Sequence, residues 1–189
     1  MTGAKQLPTG TVTFLVSDIE GSTRLASTLG DGWPVLLDAH AGIVRDAVID
    51  SGGLEVSTEG DSFFCVFAVA GDALRAAVSI QKTLASHPWP DGSAVKVRIG
   101  LHTGLGTLGG ADYVGLDVHL AARISAAGHG GEVLVSESTR TLISDTLPEG
   151  VGLRDLGEHW LRGLDHPVRI YQALVAGLPS DFPPPDTLT

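Results

Sequence analysis

Residues 56–67 read VSTEGDSFFCVF, a Glu-Gly-Asp corner at 59–61 followed by a five-residue apolar and aromatic run at 63–67. The pattern predicts a hairpin whose strands are LEVST (54–58) and SFFCVF (62–67). Two acidic side chains at the lip of a buried strand have two explanations. Gly and Asp are favoured turn residues. A carboxylate fixed at the tip of a rigid hairpin also suits a metal ion. The hairpin alone leaves both open.

Working outward, TVTFLVSDIE (11–20) is short, β-branched and aromatic, and predicts a buried strand ending at Asp18. Gly21, Ser22 and Thr23 suit a turn and helix start. From Trp33 to Asp50 the apolar residues recur at helical spacing, until SGG (51–53) stops them. A second amphipathic helix is expected over 71–86. In VKVRIGLHTG (95–104), Val95, Val97, Ile99 and Leu101 face one way, and Lys96, Arg98 and His102 the other. Short helices are expected at 115–127 and 137–144, a strand at 132–136, and two closing strands around a turn at Gly163–Pro167. Helices and hairpin are intermixed, so an α+β layered fold with a βαββαβ core fits better than strict βαβ alternation. In that arrangement the first strand lies beside the hairpin, which would bring Asp18 towards Asp61.

Length bounds the chain to one domain: 189 residues, 43% of them apolar, can build a core without staples. Residues 11–176 are expected to form it, between an N-terminal segment (1–10) and a Pro-rich tail (177–189) expected to be disordered or a linker stub. One cysteine excludes a disulfide framework, and no run approaches the roughly 20 apolar residues of a membrane span. With no apolar signal core at the N-terminus, a cytoplasmic protein is expected, with no membrane partner. Acidic residues outnumber basic ones 22 to 12, for a net charge of −10, a surface that repels nucleic acid. Such a surface still admits a nucleotide if a metal cation and a few arginines handle the phosphates.

Four segments in order, FLVSDIEGSTRL, STEGDSFFCVF, VRIGLHTG and DYVGLDVHLAARI, together resemble the class III nucleotidyl (adenylate/guanylate) cyclase catalytic domain, from about Thr11 to Val175. The resemblance implies a ferredoxin-like α+β fold with extra C-terminal strands, working as a homodimer with composite active sites. It also implies Mg²⁺ or Mn²⁺, two ions per site, and a purine nucleoside triphosphate, ATP being the expected one. The product would be a 3′,5′-cyclic nucleotide, with release of pyrophosphate, for intracellular signalling.

By the same resemblance, Asp18 and Asp61 would be the metal carboxylates, assisted by the Ile19 carbonyl. Gly21, Ser22 and Thr23 would offer backbone N–H groups to phosphates at a helix start. Arg98 would contact phosphate, and Asp112 would accept from the exocyclic amine of the base. Arg123 would stabilise charge on the transferred phosphorus, a task that suits its permanently charged fork. Arg162 would meet the triphosphate tail. Two positions depart from the family pattern. Ser57 stands where adenylyl cyclases carry a base-reading lysine, and His119 stands where an asparagine orients the ribose. Losing one such donor typically costs about 10²–10³-fold in rate, so low activity is expected.

The competing reading is a degenerate cyclase-homology domain used for dimerisation or nucleotide sensing. A diguanylate cyclase would need a Gly-Gly-acidic-acidic-Phe turn, which TEGDSFF lacks. The seven histidines form no HExxH or Cys/His cluster, so zinc is not expected. His40 and His102 sit within regular elements and are read as structural. Ser22 and Thr23 have no Ser–His–Asp setting that would support a hydrolase.

Overall fold

The structure, a computed structural model, describes residues 6–187. The first β-branched and aromatic run forms an interior strand of the sheet, β1 (Gly10–Ile19). Helices α1 (Ser22–Leu29) and α2 (Trp33–Asp50) lead to the hairpin β2 (Leu54–Glu59) and β3 (Ser62–Phe67). Gly60, at φ +58°, takes the left-handed backbone that this tight turn demands and that glycine adopts without a Cβ clash. Helix α3 (Ala70–Ser86) then crosses to β4 (Val97–Gly109). These elements form the expected βαββαβ core, with sheet order β2-β3-β1-β4 and antiparallel neighbours throughout.

The chain continues through β5 (Asp112–Val114), α4 (Leu116–Ala127), β6 (Val133–Ser136), α5 (Glu137–Ile143), β7 (Val151–His159) and β8 (Val168–Val175). Strand β6 joins β4 in parallel, and β8 and β7 extend the sheet from there. Strand β4 runs five residues past the expected end at Gly104. Its outer part folds back on β5 as a small flap, pairing Thr107 with Val114 and Gly109 with Asp112.

Alternation along the strands assigns the two faces. Leu15, Cys65 and Leu101 lie side by side in the sheet and pack with Leu74 and Ile80 of α3 and Val44 of α2. Phe14 and Val66 point the other way, towards Ala121 of α4 and Tyr113 of β5. Burying these side chains from water supplies the main driving force for folding.

The Pro-rich segment after β8 is described as far as residue 187, the last two residues of the expected tail lying outside the described residues. It runs back along the body as a strap. The Ser180 carbonyl accepts from Gln172 Nε2 at 2.8 Å and Arg154 Nη1 at 3.1 Å. The Asp186 N–H donates to the Ala127 carbonyl at 2.8 Å. An extended proline-rich backbone makes no internal hydrogen bonds, so its carbonyls are available to donors on the body. Among the described residues, no helix is long and apolar enough to cross a membrane.

Candidate active site

Strand pairing brings the two candidate metal carboxylates to one end of the sheet. The β1–β3 pairs end at Ser17 and Phe63, and continuing that register two positions would bring Ile19 level with Asp61. Here the ladder closes through a side chain: the Ile19 N–H donates to Asp61 Oδ2 at 2.7 Å. One Asp61 oxygen is thereby anchored, and the side chain cannot wander from the β1 terminus.

Asp18 is the cross-strand partner of Arg98. The guanidinium holds it through both oxygens, Nε to Oδ1 at 2.8 Å and Nη2 to Oδ2 at 2.5 Å. Hydrogen bonding to Asp18 raises the Arg98 pKa, and the charges of Asp18, Glu20 and Asp61 all act in the same direction. Three carboxylates around one arginine leave an excess of negative charge, the field that draws a cation. The candidate ligands, Asp18, Asp61 and the Ile19 carbonyl, are all oxygen donors, the kind a hard divalent ion takes. Among the described residues, no group of three or more His, Cys, Asp or Glu side chains is placed to hold a metal.

Gly21, at φ +67°, precedes the first turn of α1, with Ser22 half-buried and Thr23 exposed. They follow Asp18 and Ile19 in the chain, with Glu20 between.

Arg123 and Arg162 come together. Both line a cavity of about 260 Å³ with Ala126, Ala127 and Leu161, and the strap contributes Asp186 and Thr187 to its wall. The strap's part was missed because proline-rich composition signals a lack of regular structure without showing where a segment docks. Arg98 reaches the same region, with Nη1 at 3.5 Å from the Ala126 carbonyl.

The base-reading candidates lie elsewhere. Asp112 pairs with Gly109, eleven residues (98 to 109) along β4 from Arg98. At about 3.3 Å per residue that is on the order of 35 Å of strand. Asp112 is exposed and its Oδ1 accepts locally, from the Tyr113 N–H at 2.8 Å. Ser57 is exposed on the edge strand β2, beside an irregularity in the β2–β3 register. His119 is exposed on α4, one turn before Arg123. Within one copy, Asp112 therefore lies far along the sheet from Asp18 and Asp61.

His40 and His102 are buried, as expected of structural residues. His40 stacks edge-on against Phe63 with ring centroids 5.7 Å apart, and neither ring nitrogen meets a hydrogen-bond partner among the described residues. Burial lowers its pKa to about 4. His102 is bonded on both sides, to Asp117 and to Ser136, each at 2.9 Å. Asp117 was not singled out from the sequence; its proximity to His102 arises only when α4 lies on β4.

The family model described as the adenylate and guanylate cyclase catalytic domain matches residues 4–174. An uncharacterised protein of Mycobacterium tuberculosis is 36% identical over 179 residues, covering 94% of this chain and 60% of that protein. A receptor-type adenylate cyclase of Leishmania donovani is 28% identical over 203 residues, covering 85% of this chain and 15% of its own length. Among solved structures, an adenylate cyclase from Trypanosoma brucei, described in its monomeric state, superposes with a TM-score of 0.82 at 26% identity, covering 95% of this chain and 96% of that one. The chain thus spans about three fifths of the mycobacterial relative and a small part of the receptor-type enzyme.

Proposed function

The chain belongs to the adenylate and guanylate cyclase catalytic domain family, and from that premise we propose that it forms a 3′,5′-cyclic nucleotide and pyrophosphate from a purine nucleoside triphosphate, ATP first, on sites shared between two copies. The carrying observation is the separation within one chain. Asp18 and Asp61 sit at one end of β1, while Asp112 lies on the flap at the far end of β4. A second copy, turned head to tail, supplies the missing half.

In this reading the ribose 3′-oxygen attacks the α-phosphorus, the bond to the β-phosphate breaks, and the hydroxyl proton passes to solvent. Asp18, Asp61 and the Ile19 carbonyl would hold Mg²⁺ or Mn²⁺, which when bound supplies positive charge against the triphosphate. Arg98 must release Asp18 and turn its fork to phosphate. Arg162 and the N–H groups at Gly21, Ser22 and Thr23 take further phosphate oxygens. Arg123 faces the charge that grows on the transferred phosphorus. His119 orients the ribose, and Asp112 with Ser57 reads the base.

A second reading, nucleotide sensing without turnover, draws support from Ser57 and His119 in place of lysine and asparagine. One experiment separates the two. Metal-dependent pyrophosphate release is measured for the wild type and for an Asp61→Ala and Arg123→Ala pair, alone and mixed. Turnover in the wild type, loss in each variant and partial return in the mixture are expected. Triphosphate binding without turnover would favour sensing, and failure of the mixed heterodimer to recover would remove the shared site.

A further inference from the structure

The face of β4 beneath α4 carries two glycines with a histidine between them. Gly100, His102 and Gly104 alternate in GLHTG (100–104) and so share one face of the strand. At Gly100 the helix lies directly on the strand backbone: an added Cβ would stand 2.4 Å from Ser125 N and 2.7 Å from its Cα. At Gly104 an added Cβ would stand 2.2 Å from Asp117 Cγ. Helix α4 is therefore seated at both ends on bare backbone, and the side chain between the seats is His102.

That side chain is bonded at both nitrogens. Nε2 lies 2.9 Å from Asp117 Oδ1, and Nδ1 lies 2.9 Å from Ser136 Oγ. The other Asp117 oxygen, Oδ2, accepts the Leu105 N–H at 2.9 Å. Burial lowers the His102 pKa against the opposing pull of Asp117, so one ring proton remains at neutral pH. The carboxylate can only accept, which places that proton on Nε2 and makes Ser136 the donor to Nδ1. Ser136 in turn caps α5 by accepting from the Thr139 N–H. Behind it, Thr103 bonds both Thr139 and Thr13, at 2.9 and 2.8 Å. Buried networks with every member bonded specify one arrangement rather than several.

We propose that His102 and Asp117 are positioning residues, a latch that holds α4 in register on β4 and so places His119 and Arg123 for the reaction. The proposal rests on the cyclase reading for the chemistry that α4 performs. Asp117 is two residues before His119 and six before Arg123, on a helix of twelve residues with no other ion pair to the sheet among the described residues. Releasing the latch frees the end of α4 that leads into both side chains. Misplacing a reactive group by about 1 Å costs about a hundredfold in rate.

Turnover of the full chain tests this, with His102→Ala, Asp117→Ala and the conservative Asp117→Asn, each also made with Arg123→Ala. Either alanine variant is expected to lower kcat about ten- to a hundredfold with KM for the triphosphate changed less than about threefold. Asp117→Asn keeps an acceptor for His102 and is expected to recover part of the loss. With Arg123→Ala already present, His102→Ala is expected to cost clearly less than it does alone, because part of its effect passes through Arg123. A full additional loss there would overturn the proposal. Hydrogen exchange of the α4 amides supplies a readout independent of turnover. Either alanine variant is expected to speed exchange over 117–124 about tenfold while β1 and β3 stay protected. If the wild type shows no turnover, the cyclase reading fails and exchange decides the latch. Unchanged α4 exchange in both variants would overturn it, in an active or an inactive protein.

Discussion

Arg98 and Asp18 hold each other face to face across β1 and β4, the guanidinium fork on both carboxylate oxygens. One residue is the candidate phosphate ligand and the other the candidate metal ligand, so in this state each blocks the other. Binding a metal–nucleotide complex must exchange that ion pair for two new ones. Arg98→Gln should therefore tighten Mn²⁺ binding in the absence of nucleotide, by about three- to tenfold given the partial exposure of the pair. The same variant should bind triphosphate more weakly. Titration calorimetry with Mn²⁺ and with a non-hydrolysable triphosphate checks both directions; weaker Mn²⁺ binding would show that Arg98 supports the carboxylate instead of competing for it.

Asp61 has two roles that separate by substitution. Asp61→Asn keeps an oxygen for the Ile19 N–H and should leave thermal stability nearly unchanged. Asp61→Ala removes that acceptor and should cost about 1–2 kcal/mol. Both remove the charge, so both should abolish metal-dependent turnover. Melting curves beside pyrophosphate assays decide it, and activity in either variant would end the metal assignment.

His40 makes stability pH-dependent. Its folded-state pKa of about 4 lies below the ordinary 6.5 because burial opposes the charge. The unfolded chain therefore binds a proton between those values that the folded protein refuses. The stabilisation is complete above pH 6.5 and is lost as pH falls towards 4, by about 3 kcal/mol at most. His102 is lowered by burial as well and adds in the same direction. Urea unfolding from pH 7.5 to 4.5 should show a shallower fall for His40→Leu than for the wild type. An identical slope would exclude His40 as a source.

Ser57 and His119 are both exposed, so longer or different side chains meet no packing barrier within one copy. Ser57→Lys should sharpen the preference for ATP over GTP, through a charged donor worth about 1.5–3 kcal/mol when well placed. His119→Asn should raise turnover. The two lie on β2 and α4, so their effects should add. Rates with both triphosphates for the wild type, both singles and the double measure this, and a double variant no faster with ATP than the wild type would sink the assignment of these positions.

Gly100→Ala tests how closely α4 is seated. The new Cβ would meet the Ser125 backbone, which cannot rotate away as a side chain could. The helix must lift, at about 1–3 kcal/mol. Chemical unfolding measures the cost; a neutral variant would mean that α4 rides loosely.

Local patterns made the core legible. The Glu-Gly-Asp corner predicts the hairpin because Gly60 fills the one position where the turn needs a left-handed backbone, and the β-branched run predicts β1. Those two predictions together bring Asp61 towards Asp18, although the side-chain bond to the Ile19 N–H depends on a register that no local pattern states. The flap strand β5 was not legible, since three residues carry too little alternation to stand out. His102 and Asp117 were hidden differently: fifteen residues apart, they meet only through packing of α4 on β4. The docking of the strap was not legible from its prolines. Its anchors, Gln172 and Arg154, belong to strands whose own pattern says nothing about a passing segment.

Cys65 is the chain's single cysteine, wholly buried in β3 opposite Leu15 and four residues from Asp61. A thiol reagent reaches it only when β3 parts from its neighbours, so the labelling rate counts openings of the strand that begins just after Asp61. The protein thus carries its own stopwatch. Any ion or nucleotide that binds the closed hairpin must slow that clock in proportion to its occupancy, so ligands can be ranked by the time the thiol stays hidden, with no product to detect.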